Sequence, residues 1–263
     1  TGRAVYRTEL VKTDTSRTVQ TITTVNADTQ MSDATSSSTA PVALTFDGST
    51  NYASIPVSLT DVSDWSAEIT FTTTENGSDD RVFHQPCLFG YDTGGYASRD
   101  FHVGTSGGNL HVFNGLGNSP APVGGTASWS GGDCGVNTGI KVNDGKKHTV
   151  KAISTTGKIE VYCDGTLATT IYPTTTLSAD AFYIGCSKPS ESVFGQLTLY
   201  SFKLTKNGSL VANYLPTVND ALTKILTDNG GNGNNATLYG NTYTYTAITG
   251  DIDFTLSADT GRT

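Results

Sequence analysis

Residues 158–167 place the tightest limit on what this chain can fold into. Ile159, Val161 and Cys163 alternate with Lys158, Glu160 and Tyr162, and then meet the dipeptide Asp164-Gly165. A period of two puts the apolar side chains on one face of an extended strand, and Asp-Gly supplies the left-handed residues of a tight hairpin turn. A helix would scatter the same side chains around its circumference. Similar runs recur near 43–46, 51–56, 66–73, 83–90, 99–104, 109–114, 147–154, 167–172, 181–186 and 195–204, with Gly, Asn and Asp between most of them. A further hairpin is expected at 207–214, one short helix at 218–226, and strands at 237–245 and 251–256. With 29 Gly and only 15% charged residues, the composition agrees with a turn-rich, all-β protein.

Three of these words, taken in order, resemble a known family. Leu44-Thr45-Phe46-Asp47-Gly48 followed by Tyr52 opens the segment. Lys147-His148-Thr149-Val150-Lys151-Ala152 precedes the Tyr162-Cys163-Asp164-Gly165 hairpin, and Phe194-Gly195-Gln196-Leu197-Thr198-Leu199-Tyr200 closes it. The set is similar to the laminin G-like, concanavalin A-like lectin/glucanase domains. That resemblance implies a concanavalin A-like (jelly-roll) β-sandwich over residues 41–247. It implies much less about function, because the fold carries lectins, adhesion modules, phage tail parts and spacers.

The termini read differently. Thr1-Gly2-Arg3-Ala4-Val5 recurs as Thr15-Ser16-Arg17-Thr18-Val19, and Asp14-Thr15 recurs as Asp28-Thr29, which sets a 14-residue period. Ala258-Asp259-Thr260-Gly261-Arg262-Thr263 repeats the word once more. Residues 1–40 and 248–263 are therefore expected to be Thr-rich repeat arms flanking the sandwich. Alternation at 18–25 favours a strand, with the strand at 251–256 or an equivalent segment of a neighbouring repeat or subunit as its partner, while a Thr/Ser-rich linker is the competing reading.

The formal net charge of −8, without any Lys/Arg cluster, argues against nucleic acid or an anionic membrane as partner. No apolar run approaches the ~18 residues of a membrane span. Thr1 in place of Met suggests a mature or excised product. Cys87, Cys134, Cys163 and Cys186 lack Cys-x-x-Cys spacing. Cys163 and Cys186 fall in phase with core positions, so buried thiols and disulfides both stay open.

Catalysis finds little support. The five Glu are Glu9, Glu68, Glu75, Glu160 and Glu191; the one close pair, Glu68 and Glu75, is separated by an odd number and faces opposite ways on a strand. No Gly-x-Ser-x-Gly elbow occurs. Asp47, Asp92 and Asp164 sit in turns and are candidate ligands for a structural Ca2+, although turn formation explains them as well.

Two regions suit sugar recognition. If residues 105–108 form a turn, Val103 faces Leu110 and Phe101 faces Val112. His102 and His111 then stand together on the other face, with no third ligand for zinc in view. Residues 115–138 read as a long loop carrying Trp129, whose indole either stacks on a pyranose or plugs the sandwich end. Tyr91, Tyr96 and Arg99 share that rim, whereas Trp65 is expected in the core. The expected function is a non-catalytic carbohydrate-binding or adhesion module, extracellular on a cell surface or virion, recognising a glycan. The alternative is a structural module that self-associates through its arms.

Overall fold

The computed structural model describes residues 41–92, 100–115, 117–241 and 243–248. The repeat arms, apart from Ile248, and the strands expected at 18–25 and 251–256 lie outside them. In chain order the first strands are β1 Val42–Asp47, β2 Tyr52–Ile55, β3 Trp65–Thr72, β4 Cys87–Tyr91, β5 Phe101–Ser106 and β6 Asn109–Asn114. They are followed by β7 Thr126–Ser130, β8 Asp133–Lys141, β9 His148–Thr155, β10 Lys158–Cys163 and β11 Thr166–Ile171. The last are β12 Phe182–Ile184, β13 Cys186–Lys188, β14 Val193–Phe194, β15 Gln196–Lys206, β16 Ser209–Tyr214, β17 Ile225–Leu226, β18 Ala236–Tyr239 and β19 Thr244–Ala247.

β13 and β14 pair with each other, and the other strands form two large sheets with antiparallel neighbours. One is ordered β11-β10-β9-β3-β15-β1-β19, with β16 also on β15; the other is ordered β17-β18-β2-β12-β4-β5-β6-β8-β7. Their inner faces supply one core. Trp65 of β3 meets Phe101 of β5 at 5.2 Å, and Phe202 of β15 meets Phe89 of β4 at 5.9 Å, so rings from the two sheets interdigitate. Each such side chain contributes about 1.5 to 3 kcal/mol on burial.

Strand β15 is the spine of the first sheet. Leu197 and Leu199 are buried, then Phe202 and Leu204, so the inward positions change parity midway. A bulge in the pairing with β3 between Leu199 and Ser201 causes the change. The extra residue re-aims the strand, and its other edge passes from β1 to β16.

Several expectations need adjustment. The β5–β6 turn is the two-residue Gly107-Gly108 turn, with Ser106 opposite Asn109, so Val103 faces Val112 and not Leu110, and Phe101 faces Asn114 and not Val112. The displacement is even, and His102 and His111 keep the expected face. Both Gly107 and Gly108 have positive φ, which the tighter turn requires. Residues 115–138 are no loop: they contain β7 and much of β8. The segment 237–245 divides between β18 and β19, in different sheets. The helix is Val218–Thr223, capped by the Thr217 side chain with Asp220 completing a capping box, and it stops where Lys224 turns left-handed. Trp65 is buried, and all four cysteines are buried free thiols.

Candidate functional site

The outer face of the second sheet is covered where β5 and β6 run. The connection between β3 and β4 folds over it, anchored by the Thr105 amide on the Pro86 carbonyl at 2.8 Å and the Gly107 amide on the Gly77 carbonyl at 3.1 Å. Gln85 holds the loop in shape: its amide donates to the carbonyls of Asp79 and Arg81, and its oxygen accepts from the Asp79 amide. Arg81 forks onto Asp79, Nε to Oδ1 at 2.9 Å and Nη2 to Oδ2 at 2.8 Å. That fork holds the Asp79 carboxyl well below the usual carboxylate range.

The cover buries both histidines. His102 stacks on Phe113 at 4.7 Å, and neither of its ring nitrogens has a hydrogen-bond partner among the described residues. His111 is 4% exposed, and its Nδ1 is likewise unpartnered. Burial pushes the His102 imidazole well below its ordinary value and the His111 imidazole down to about 4, so both are neutral near pH 7. They are not the exposed pair that surface strands would present.

His111 opens onto a cleft of about 370 Å³. Asp79, Asp80, Val82 and Gln85 line it from the covering loop, Ser106 and His111 from the β5–β6 hairpin, Gly135 and Asn137 from β8, and Thr126 and Ser128 from the edge strand β7. Cross-strand pairing sets this arrangement: Asn137 lies opposite both His111 and Thr126, and Gly135 opposite Ser128. Gly135 keeps the cleft open. A Cβ there would lie 2.7 Å from His111 Nε2 and 2.9 Å from Val82 Cβ. Carboxylates, hydroxyls, an amide and a neutral imidazole therefore converge on one concavity, a donor and acceptor set suited to several hydroxyl groups at once.

The residues expected from sequence distribute differently. Trp129 lies in β7, beside Ser128 and so on the opposite face from the cleft, and is 49% exposed. Tyr91 packs against the core and stacks on Tyr183 at 6.0 Å. Tyr183 meets Tyr52 at 5.8 Å, and Tyr52 stacks on Tyr239 at 4.7 Å, which makes an aromatic row across β4, β12, β2 and β18. Tyr96 and Arg99 lie outside the described residues.

The three aspartates do not converge. Asp47 ends β1 and Asp164 follows β10, with β15, β3 and β9 between them, while Asp92 follows β4 in the other sheet. The Asp47 carboxylate accepts from the amides of Ser49, Thr50 and Asn51 and from the Thr50 hydroxyl, which makes it a turn former. The cleft residues Asp79, Asp80, Ser128 and Asn137 escaped sequence reasoning. Serine and asparagine in a Gly-rich stretch carry no signal until pairing places them beside His111.

No protein-family model matches the sequence, and no curated protein matches it. Solved structures do show similarity. Domains LG4-5 of the mouse laminin α1 chain match at 15% identity and a TM-score of 0.44, over 64% of this chain and 42% of that one. A Bacteroides ovatus protein described as carbohydrate-binding matches at 12% and 0.48, over 80% and 60%. The Ruminococcus gnavus IT-sialidase CBM40, solved with α2,3 sialyllactose, matches at 12% and 0.38, over 57% and 79%. The chain spans less than two thirds of the laminin and Bacteroides chains. Two packed antiparallel sheets around one core make this a β-sandwich, the architecture that the laminin G-like words imply.

Proposed function

We propose that the chain is a non-catalytic carbohydrate-binding module whose cleft receives one sugar unit of an extracellular glycan. The observation that carries this reading is the convergence of neutral His111 with the Asp79, Asp80, Ser128 and Asn137 side chains in a concavity of monosaccharide size. Carboxylates suit pairs of sugar hydroxyls as acceptors, and their charge disfavours acidic sugars, so the ligand is a neutral glycan. The state of Asp79 supports binding without turnover, since it bars that residue from the role of general acid. A glycosidase needs a carboxylic acid that stays protonated, and the Arg81 fork keeps Asp79 ionised.

Isothermal titration of the full chain against neutral oligosaccharides tests the proposal. Asp80→Asn and Asn137→Ala are each expected to weaken binding about tenfold, within the ~1 to 3 kcal/mol range of interface hot spots. Wild-type affinity in both variants, with unchanged melting temperatures, would remove the cleft from consideration.

A further inference from the structure

A second group of chemically active side chains lies in the first sheet, where β9 begins and β10 ends. His148 begins β9, Cys163 ends β10, and Asp164 is the first residue of the β10–β11 turn with φ of 49°. The alternation that sends Val150 and Val161 inward also sends His148, near the ring of Phe71, and Cys163 toward the interior edge. One ligand atom from each of His148, Cys163 and Asp164 lies within 4.8 Å of the other two.

We propose that these three residues form a zinc site, with His148 Nδ1, Cys163 Sγ and Asp164 Oδ2 as ligands and the outward position open to water. Tetrahedral zinc with bonds of about 2.0 to 2.3 Å sets its ligand atoms roughly 3.3 to 3.8 Å apart. His148 Nδ1 and Asp164 Oδ2 are 2.7 Å apart, and Cys163 Sγ and Asp164 Oδ2 are 3.9 Å apart, so shifts of less than about 1 Å would admit the ion.

The surrounding contacts suit a metal as well as they suit the ion pairs that His148 makes with Asp144 and Asp164. Asp144 Oδ1 lies 3.0 Å from His148 Nε2 and accepts its proton, so once the proton that Nδ1 shares with Asp164 departs, Nδ1 is the nitrogen left with a lone pair. That is the carboxylate–histidine arrangement which orients metal-bound imidazoles. Asp164 is fixed from the other side, where its Oδ1 accepts the Thr149 amide at 2.8 Å. The thiol and imidazole are too soft, and oxygen ligands too few, for calcium, which takes six to eight oxygens. On binding, the Cys163 thiol proton and the proton between His148 Nδ1 and Asp164 Oδ2 leave to solvent, and the sulfur becomes thiolate.

Cobalt(II) titration of the reduced, metal-free full chain reads the site directly, through the thiolate-to-cobalt charge-transfer band and the intense visible bands of tetrahedral cobalt. One equivalent is expected, displaced by one equivalent of zinc. Cys163→Ser should abolish the charge-transfer band, His148→Gln should weaken cobalt binding at least tenfold, and Asp144→Asn should weaken it while preserving the band. Circular dichroism of each metal-free variant separates loss of the site from loss of the fold. A wild-type chain without the band, or a band that persists in folded Cys163→Ser, would overturn the assignment. Glycan titration of Cys163→Ser is independent of either result, because the cleft belongs to the other sheet.

Discussion

At the residue scale, His111 and Gly135 decide the most. Both ring environments make the histidines neutral in the folded state, whereas the unfolded chain protonates them at ordinary values. For His111 the folded value is about 4 against 6.5, so the unfolded state binds more protons between these pH values. Stability is therefore fully present above pH 6.5 and falls as the pH drops toward 4, by roughly 3 kcal/mol for this group alone. Denaturant melts of wild type and His111→Gln across that window are expected to show a smaller acid loss in the variant; parallel curves would mean the imidazole is not buried. Gly135→Ala should cost about 1 to 3 kcal/mol by overpacking against His111 and Val82 and should also eliminate cleft binding. The alternation of β5 and β6 was enough to place both histidines on one face. Their burial was not legible, because the cover comes from residues 75–86, of which 83–86 read as the start of a strand that in the structure begins only at Cys87.

At the element scale, the β7–β8 hairpin shows what the sequence withheld. The β7 residues Thr126, Ala127, Ser128, Trp129 and Ser130 are all exposed on an edge strand, so burial left no apolar imprint on them. Cys134 and Val136 do alternate inward, but Gly135 and Gly139 interrupt the pattern and make the stretch read as loop. By contrast β10 and β15 were visible within a residue or two, because Ile159, Val161 and Cys163 mark the buried face of one and Leu197, Leu199, Phe202 and Leu204 that of the other. The hairpin register yields a paired test. Ser128→Leu should fill the cleft and abolish glycan binding, while Trp129→Ala, one residue away on the opposite face, should leave affinity within about twofold and stability within ~1 kcal/mol. Titration calorimetry and thermal melts read both variants, and the reverse order of sensitivities would mean that the glycan lies on the indole side.

At the scale of the whole molecule, the fold was legible because strand words and turn words recur in a fixed order through the chain. The site was not, since Asp79, His111 and Asn137 meet only after the covering loop, a hairpin and an edge strand are assembled. The flanking repeats bear on assembly. If they pair between copies, sedimentation velocity should show association that grows with concentration and disappears on deletion of residues 1–31; a monomer at every concentration would leave them as linkers. The central claim concerns the cleft, and chemical-shift mapping of the isotope-labelled full chain during titration with a neutral oligosaccharide tests it most directly. Saturable shifts clustered at Asp79, Asp80, His111, Ser128 and Asn137 are predicted. Shifts clustered instead at Tyr52, Tyr183 and Tyr239, or around Trp129, would contradict it.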